Sequence, residues 1–312
     1  MDSGVIPLVL ACLLDLVLGD PPNRYHPVAW MGRSISMARR FAPPWNPGLA
    51  FLYGAGIVGA GVLLVGSLGL VVEASLQFLP LPWYWLAEAC ALKTTFALRG
   101  LARAALQVRA ALLAGDLERA RALLSWHLVS RDTSTLTSSQ VAAATVESIA
   151  ENASDGIVAP LLFYAIGGLP AALIYRFLNT ADAMLGYRDP EREWLGKVPA
   201  RVDDLVNLLP ARLTASCFLL ATQCMGGPIR RAWGIWWRDA GQTASPNAGR
   251  PMSVMAGALG IELEKVGHYC LGAGQALPAA RDITGAVRLL AWAMAIAVSG
   301  LSALQGLIAW LV

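Results

Sequence analysis

Charge is what this chain of 312 residues is short of. Only 14% of its residues are charged, against about 25% in an ordinary soluble domain. Hydrophobic residues make up 56% and mean hydropathy is +0.53, so the deficit points to lipid and not to one large soluble core. Strand-type alternation bounded by turn residues is essentially missing, and the chain reads all-α. The five cysteines, Cys12, Cys90, Cys217, Cys224 and Cys270, are scattered, odd in number and lack CxxC spacing. That pattern speaks against a zinc site or a disulfide framework and for free buried thiols. Neither GxxxxGK[ST] nor GxGxxG occurs, so any nucleotide site is of another type. A net charge of +3 gives no nucleic-acid signal. The opening Met1-Asp2-Ser3 has no basic stretch, and the first apolar run leads into Gly19-Asp20-Pro21-Pro22. It reads as a first membrane helix, not as a secretory signal.

Long apolar runs are abundant. Leu49–Val72 and Leu289–Val312 are each 24 residues without a charge, longer than the roughly 20 needed to cross a bilayer. Segments 157–178 and 205–225 are similar but carry Arg176 and Arg212 and internal prolines, tolerable where neighbouring helices or water satisfy them. Segment 5–18 is shorter and holds Asp15. The expectation is one multi-pass, membrane-embedded helical bundle over residues 1–312, with helical connections between spans. Trp85–Ala114 and Leu117–Ser130 read as a helical hairpin closed by Gly115 and capped by Asp116. Thr137-Ser-Ser-Gln140 reads as a capping box, and a helical stretch is expected from Met252 onward. Glycines 54, 56, 59, 61, 66 and 69 are expected to allow close helix packing. Each connection carries at least four Lys/Arg, so the positive-inside rule does not choose a topology. Some apolar segments, such as Val5–Leu18 or Trp83–Leu98, are then short, re-entrant or buried in protein.

Carboxylates and amides crowd both ends of segment 157–178, where ionisable groups are costly unless paired, metal-bound or wet. Glu147 and Glu151, four apart, share a helical face with Gln140 two turns back and Asp155 one turn on, while Val146, Ile149, Ala150 and Ala153 take the opposing side; Asn152 follows Glu151 in the same block. Mg²⁺ suits one or two such carboxylates plus substrate phosphates; the bland alternative is a solvated acidic face. Asn179-x-x-Asp182, with Arg176 one turn before, is a second metal or amide candidate, or a helix-end cap. Asp203-Asp204 is expected to open the next apolar segment, where carboxylates also suit the helix dipole. Arg131 and Asp132 offer phosphate or amide contacts in a loop, or a capped turn. In Ser245-Pro-Asn247-Ala-Gly249-Arg250, small residues let backbone N–H groups approach an anion at a helix start; a plain connector is the alternative. Asp20, His26 and Arg33 form a polar cluster beside Trp30, where aromatics often merely anchor at the interface.

These blocks, from Gly19-Asp20-Pro21 through His26-Pro27 and Gly32-Arg33, Arg131-Asp132-Thr133, Glu147–Gly156, Asn179–Asp182, Arg201-Val-Asp203-Asp204 and Ser245–Gly260, together resemble the CobD/CbiB family across nearly the whole chain. The resemblance implies the adenosylcobinamide-phosphate synthase of cobalamin biosynthesis, in a bacterial inner membrane with its site facing the cytoplasm. The implied reaction is an ATP-dependent ligation. It joins the free carboxylate of adenosylcobyric acid, a corrinoid, to (R)-1-amino-2-propanol or its O-phosphate, with ATP as co-substrate and Mg²⁺ as cofactor. The roles implied place Glu147, Glu151, Asn152, Asp155, Asn179 and Asp182 around Mg²⁺. Arg131, Arg176, Arg201, Arg250 and the 245–253 loop take phosphate or substrate, with Asp20, His26, Arg33 and Asp132. Asp203 or Asp204 orients the amine or metal. All are expected to meet at one cation-holding pocket. The sequence fixes no oligomeric state, and a second copy of the chain is compatible with it. Two alternatives stay open: a Mg²⁺-dependent membrane prenyltransferase and a corrinoid transporter or binding component.

Overall fold

A computed structural model of the chain describes residues 4–43, 46–187 and 192–311; Met1-Asp2-Ser3 lies outside the described residues. In chain order the elements are α1 (Val5–Leu18), α2 (Pro27–Arg39), α3 (Pro47–Leu76), α4 (Leu81–Lys93), α5 (Leu98–Leu113), α6 (Leu117–His127), α7 (Ser138–Ala153), a π turn (Ser154–Val158) and α8 (Ala159–Leu185). There follow α9 (Lys197–Val206), α10 (Leu208–Cys224), α11 (Ile229–Asp239), α12 (Gly249–Leu259), β1 (Leu263–Lys265), β2 (Tyr269–Leu271) and α13 (Ala280–Leu311).

The contacts divide the chain into two compact units. Both are discontinuous in sequence, which is why no linker-like stretch marks a boundary. The first holds everything up to Ala97, Ala159–Asn207 and the described residues from Leu301; the second holds Leu98–Val158 and Leu208–Gly300.

In the first unit α3 packs on α8 and α1 on α4. The core gathers Met31 and Ile35 of α2, Val65 of α3 and Phe177, Ala181 and Leu185 of α8. Small residues bring the backbones together, as in lipid, where shape and not water drives packing. A Cβ at Gly54 would strike the Leu195 carbonyl, at Gly61 the Phe177 ring, and at Gly69 the Pro170 backbone. Gly56 and Gly59 meet nothing within 4 Å, so the packing expectation holds for four of the six glycines, Gly66 against Ile174 included. The other face of α3 leaves Leu52, Leu63, Leu64 and Leu70 more than half exposed. α8 is broken inside: Gly167 and Gly168 leave helical geometry, Gly168 at φ +66.

In the second unit α5, α6 and α7 pack around Val108, Ala111, Ala120, Leu124, Val141 and Ala144. A fully buried leucine such as Leu124 contributes about 1.5–3 kcal/mol where water is the alternative. Gly115 at φ +74 ends α5, and the Asp116 carboxylate accepts the Arg119 N–H at 2.9 Å to open α6. The expected hairpin is therefore present from α5 onward, but the helix expected over Trp85–Ala114 is two, α4 and α5, interrupted at residues 94–97. The Thr137–Gln140 capping box is formed in both directions. Past α12, left-handed Gly260 gives way to the antiparallel β1–β2 hairpin, where sequence periodicity suggested continued helix. Three-residue strands are too short to show alternation.

Among the described residues, three helical stretches are long and apolar enough to cross a membrane: Pro47–Leu76, the run Ser138–Leu185 and Ala280–Leu311. A fourth is reached if α9 and α10 count together, and Val5–Leu18 is a shorter apolar helix.

Candidate functional site

The residues singled out by sequence are divided between the two units. In the second unit, α7 turns Glu147, Ser148 and Glu151 toward a cavity of about 270 Å³, completed by Arg131 and by Lys265 and Tyr269 of the hairpin. Every residue from Val141 to Ala150 is buried while Glu151 is exposed, so the two glutamates are not a wholly solvated acidic face, and Val146 and Ile149 do not mark a unique apolar side. Glu147 is only 5% exposed. Its Oε2 lies 3.6 Å from Arg131 Nη2, while its buried Oε1 has no hydrogen-bond partner. Leaving a buried carboxylate oxygen unsatisfied is expensive, and such a group is a candidate for holding something. Burial and the nearby Glu147 and Glu151 charges push the Tyr269 phenol above its ordinary range, so it stays a neutral hydroxyl. Asn152 faces elsewhere, donating to the Ser148 carbonyl at 2.9 Å, and Asp155 lies in the π turn.

The flanking loops are more ordinary. Asp132 accepts the Ser134 N–H and hydroxyl, both at 2.9 Å, and these bonds hold its pKa below the usual carboxylate range. This is a capped turn. At the start of α12 the Gly249 N–H goes to Thr243 Oγ1 at 3.1 Å, the Arg250 N–H to the Asn247 carbonyl, and the Met252 N–H to the Ala248 carbonyl. Pro251 has none to give, so these N–H groups are engaged within the turn itself. Ser245 accepts the Asn247 N–H on its Oγ at 3.3 Å. The cation there is Arg250, whose pKa is lowered by burial and by neighbouring Arg212.

In the first unit Asp203 is the buried centre of an amide network. Its Oδ1 accepts from Asn179 at 3.4 Å and its Oδ2 from Asn207 at 2.9 Å. Asn207 Oδ1 in turn accepts the Tyr175 hydroxyl at 2.8 Å, and Arg176 donates to Asn179 Oδ1 at 3.2 Å. Arg176 thus reaches Asn179. Asn179 and Asp182 lie inside α8, which continues to Leu185, and so cap no helix end. Asp203 and Asp204 lie in the last turn of α9, not at the start of the following helix, and the dipole reading of that pair is corrected. Asp182 is partly buried beside the Asp203 and Asp204 charges. Arg201 is exposed.

A second polar knot in this unit ties Lys93 Nζ to Asp20 Oδ1 at 2.5 Å and to buried Asp15 at 3.4 Å. His26 opens α2: its Nδ1 accepts the Val28 N–H at 3.2 Å, and its Nε2 lies 4.0 Å from Asp20. Arg33 donates to the Asn23 carbonyl at 3.3 Å. A larger cavity of about 470 Å³, lined by residues such as Ile35, Tyr53 and Phe177, contains no acidic or basic side chain and offers no comparable chemistry.

Sequence reasoning missed Lys93, Asp15, Tyr175, Asn207, Lys265 and Tyr269. Asn207, four residues after Asp203, had a readable spacing; the hairpin residues, over a hundred positions from Glu147, had none. Among the described residues no group of three or more His, Cys, Asp or Glu side chains stands close enough to hold a metal alone.

No solved structure matches the chain. Among sequences, it is 44% identical over 276 residues to "Cobalamin biosynthesis protein CobD" of Dehalococcoides mccartyi (strain CBDB1), covering 85% of each chain. It is 38% identical over 300 residues to "Cobalamin biosynthesis protein CbiB" of Salmonella typhi, covering 92% of each. The family model described as "CobD/Cbib protein" matches residues 8–295, and the chain belongs to the CobD/CbiB family.

Proposed function

We propose that this protein acts in cobalamin biosynthesis as an ATP-dependent, multi-pass membrane ligase. It would join the free carboxylate of adenosylcobyric acid to 1-amino-2-propanol or its O-phosphate. The observation that carries the reading is family membership over residues 8–295, with relatives named for cobalamin biosynthesis. Three helical stretches fit for a bilayer support the membrane setting, and we place the site on the cytoplasmic side, where ATP is available.

A carboxylate is a poor electrophile until one oxygen becomes a leaving group. ATP would supply that by phosphorylating it, and the amine would then expel phosphate as the amide forms. The cavity beside α7 has the donors for the phosphoryl end. Arg131 and Lys265 are cations that bind phosphate oxygens and meet charge developing during transfer. Glu147, with an orphaned buried Oε1, and Glu151 on the same cavity are hard oxygen donors of the type Mg²⁺ takes together with phosphates. Their number fits a metal held partly by its substrate. Mg²⁺ bound there would screen phosphate charge. Arg250 supplies a further cation for a phosphate. In the first unit, Asp182 and Asp204 are carboxylates of the type that binds an ammonium and takes a proton. Asp203, with both oxygens bonded to amides, positions Asn179 and Asn207 and does not act as the base.

The test is purified protein with ATP, Mg²⁺, adenosylcobyric acid and each amine in turn, with product mass recorded. A new amide from either amine supports the reading. Turnover of a prenyl diphosphate instead, or corrinoid binding without ATP consumption, would replace it.

A further inference from the structure

The apolar helices of the first unit enclose a second acidic site that the proposed reaction does not use. Glu88 of α4 is 3% exposed and accepts the Tyr164 hydroxyl on Oε1 at 2.9 Å, while its buried Oε2 has no hydrogen-bond partner. Gln305 of α13, 8% exposed, also keeps a buried carbonyl oxygen, Oε1, without a partner. The Gln305 amide and the Tyr164 hydroxyl converge over Gly4, where a Cβ would lie 2.6 and 3.2 Å from them. Glu73 of α3 is the second carboxylate, near enough to feel the Glu88 charge and to act on Tyr164. Among the described residues neither glutamate forms a salt bridge; Lys93, on the same helix as Glu88, is taken by Asp15 and Asp20.

Glu73 packs against the break in α8, where its Oε1 would stand 2.7 Å from a Cβ on Gly168. Pro170 has no N–H, so the Ile166 carbonyl four residues earlier lacks its helical donor. A broken apolar helix ending in free carbonyls beside acidic side chains is how membrane proteins present oxygen to cations. The carboxylate oxygen decides the sign of the ligand, because Glu88 Oε2 only accepts. A buried acceptor set with net negative charge calls for a cation. With two carboxylates and no larger acidic group available, a singly charged ion fits better than a divalent one.

We propose that Glu88, Glu73, Tyr164 and Gln305 form a binding site for a small monovalent cation, an alkali ion or a primary ammonium, within the helices of the first unit. The site is independent of the ligase reading, and its test involves no turnover. The full-length protein in nanodiscs is melted in choline chloride, sodium chloride, potassium chloride and 1-amino-2-propanol hydrochloride at matched ionic strength, from pH 6 to 9. The expected result is a saturable rise in Tm of several degrees with one of the small cations over choline. Its identity tells alkali ion from ammonium. Glu88→Gln should fold, keep the Tyr164 bond and lose the cation response, and Tyr164→Phe should weaken it at least several-fold. A wild-type response to pH alone would overturn the proposal by making the pair a proton store. An undiminished cation response in Glu88→Gln would overturn it as well, and if that variant does not fold, an undiminished response in Tyr164→Phe does the same.

Discussion

Arg131 stands 3.6 Å from the buried carboxylate of Glu147 without closing a hydrogen bond, and the second oxygen of that carboxylate closes none either, although the Tyr269 hydroxyl lies close enough to act on the group. A structural ion pair would be expected to satisfy both oxygens. Breaking such a pair by removing one partner typically costs about 3–5 kcal/mol. For a carboxylate kept for its ligand, neutralisation relieves an unmet charge. We therefore expect Glu147→Gln to keep or raise thermal stability while amide formation falls by at least about 100-fold. Melting and product mass on the same preparation check both halves. A large stability loss would assign Glu147 to the scaffold.

Glu151→Ala and Asp182→Ala are expected to abolish product while protein remains in the membrane fraction. Arg131→Ala should cost about 10²–10³-fold if the guanidinium meets developing phosphoryl charge. Retained turnover in any of the three removes that residue from the site.

Asn207 is expected to matter through Asp203 and Tyr175. Asn207→Leu strands a buried carboxylate oxygen and a buried phenol, each worth about 1–3 kcal/mol, and denaturation should show a loss of that order. An unchanged midpoint would mean that water or rearrangement replaces the amide.

The His26 ring gives a pH signature. Burial holds its pKa below the usual 6.5, opposed by Asp20 and reinforced by Lys93 and Arg176. As pH falls through 6.5 the unfolded chain takes the proton first, so stability contributed by neutral His26 is present above 6.5 and lost as pH drops through the lower folded value. Protonation also removes the Nδ1 acceptor that caps α2. His26→Asn keeps a cap without titrating and should flatten the stability slope below pH 6.5; an unchanged slope would place its origin elsewhere.

Packing of α3 gives a control within one helix. Gly61→Leu must displace the Phe177 ring and should cost about 1–3 kcal/mol, whereas Gly59→Leu faces open space and should be nearly neutral. Equal effects would contradict the α3–α8 packing.

Much of this was legible in the chain. Uncharged runs located α3 and α13, Gly115 marked the end of α5 to within a residue, and Asp116 and Thr137–Gln140 marked the starts of α6 and α7, because caps depend on local chemistry alone. The acidic residues of α7 and α8 stood out because charge is rare in such surroundings. What stayed hidden depends on distance in sequence. Nothing near Glu147 announces Tyr269 or Lys265, and nothing near Glu88 announces Gln305. The Asp203-Asp204 pair misled because an apolar run follows it directly, and only the backbone shows that α9 has yet to end.

The most direct measurement follows oxygen. Adenosylcobyric acid labelled with ¹⁸O in its free carboxylate is turned over with ATP, Mg²⁺ and 1-amino-2-propanol phosphate, and both products are weighed by mass spectrometry. We expect one ¹⁸O in the released inorganic phosphate for every amide formed, with ADP as the nucleotide product. Label appearing in AMP, or corrinoid recovered unchanged while ATP stays intact, would contradict ligation through a phosphorylated carboxylate.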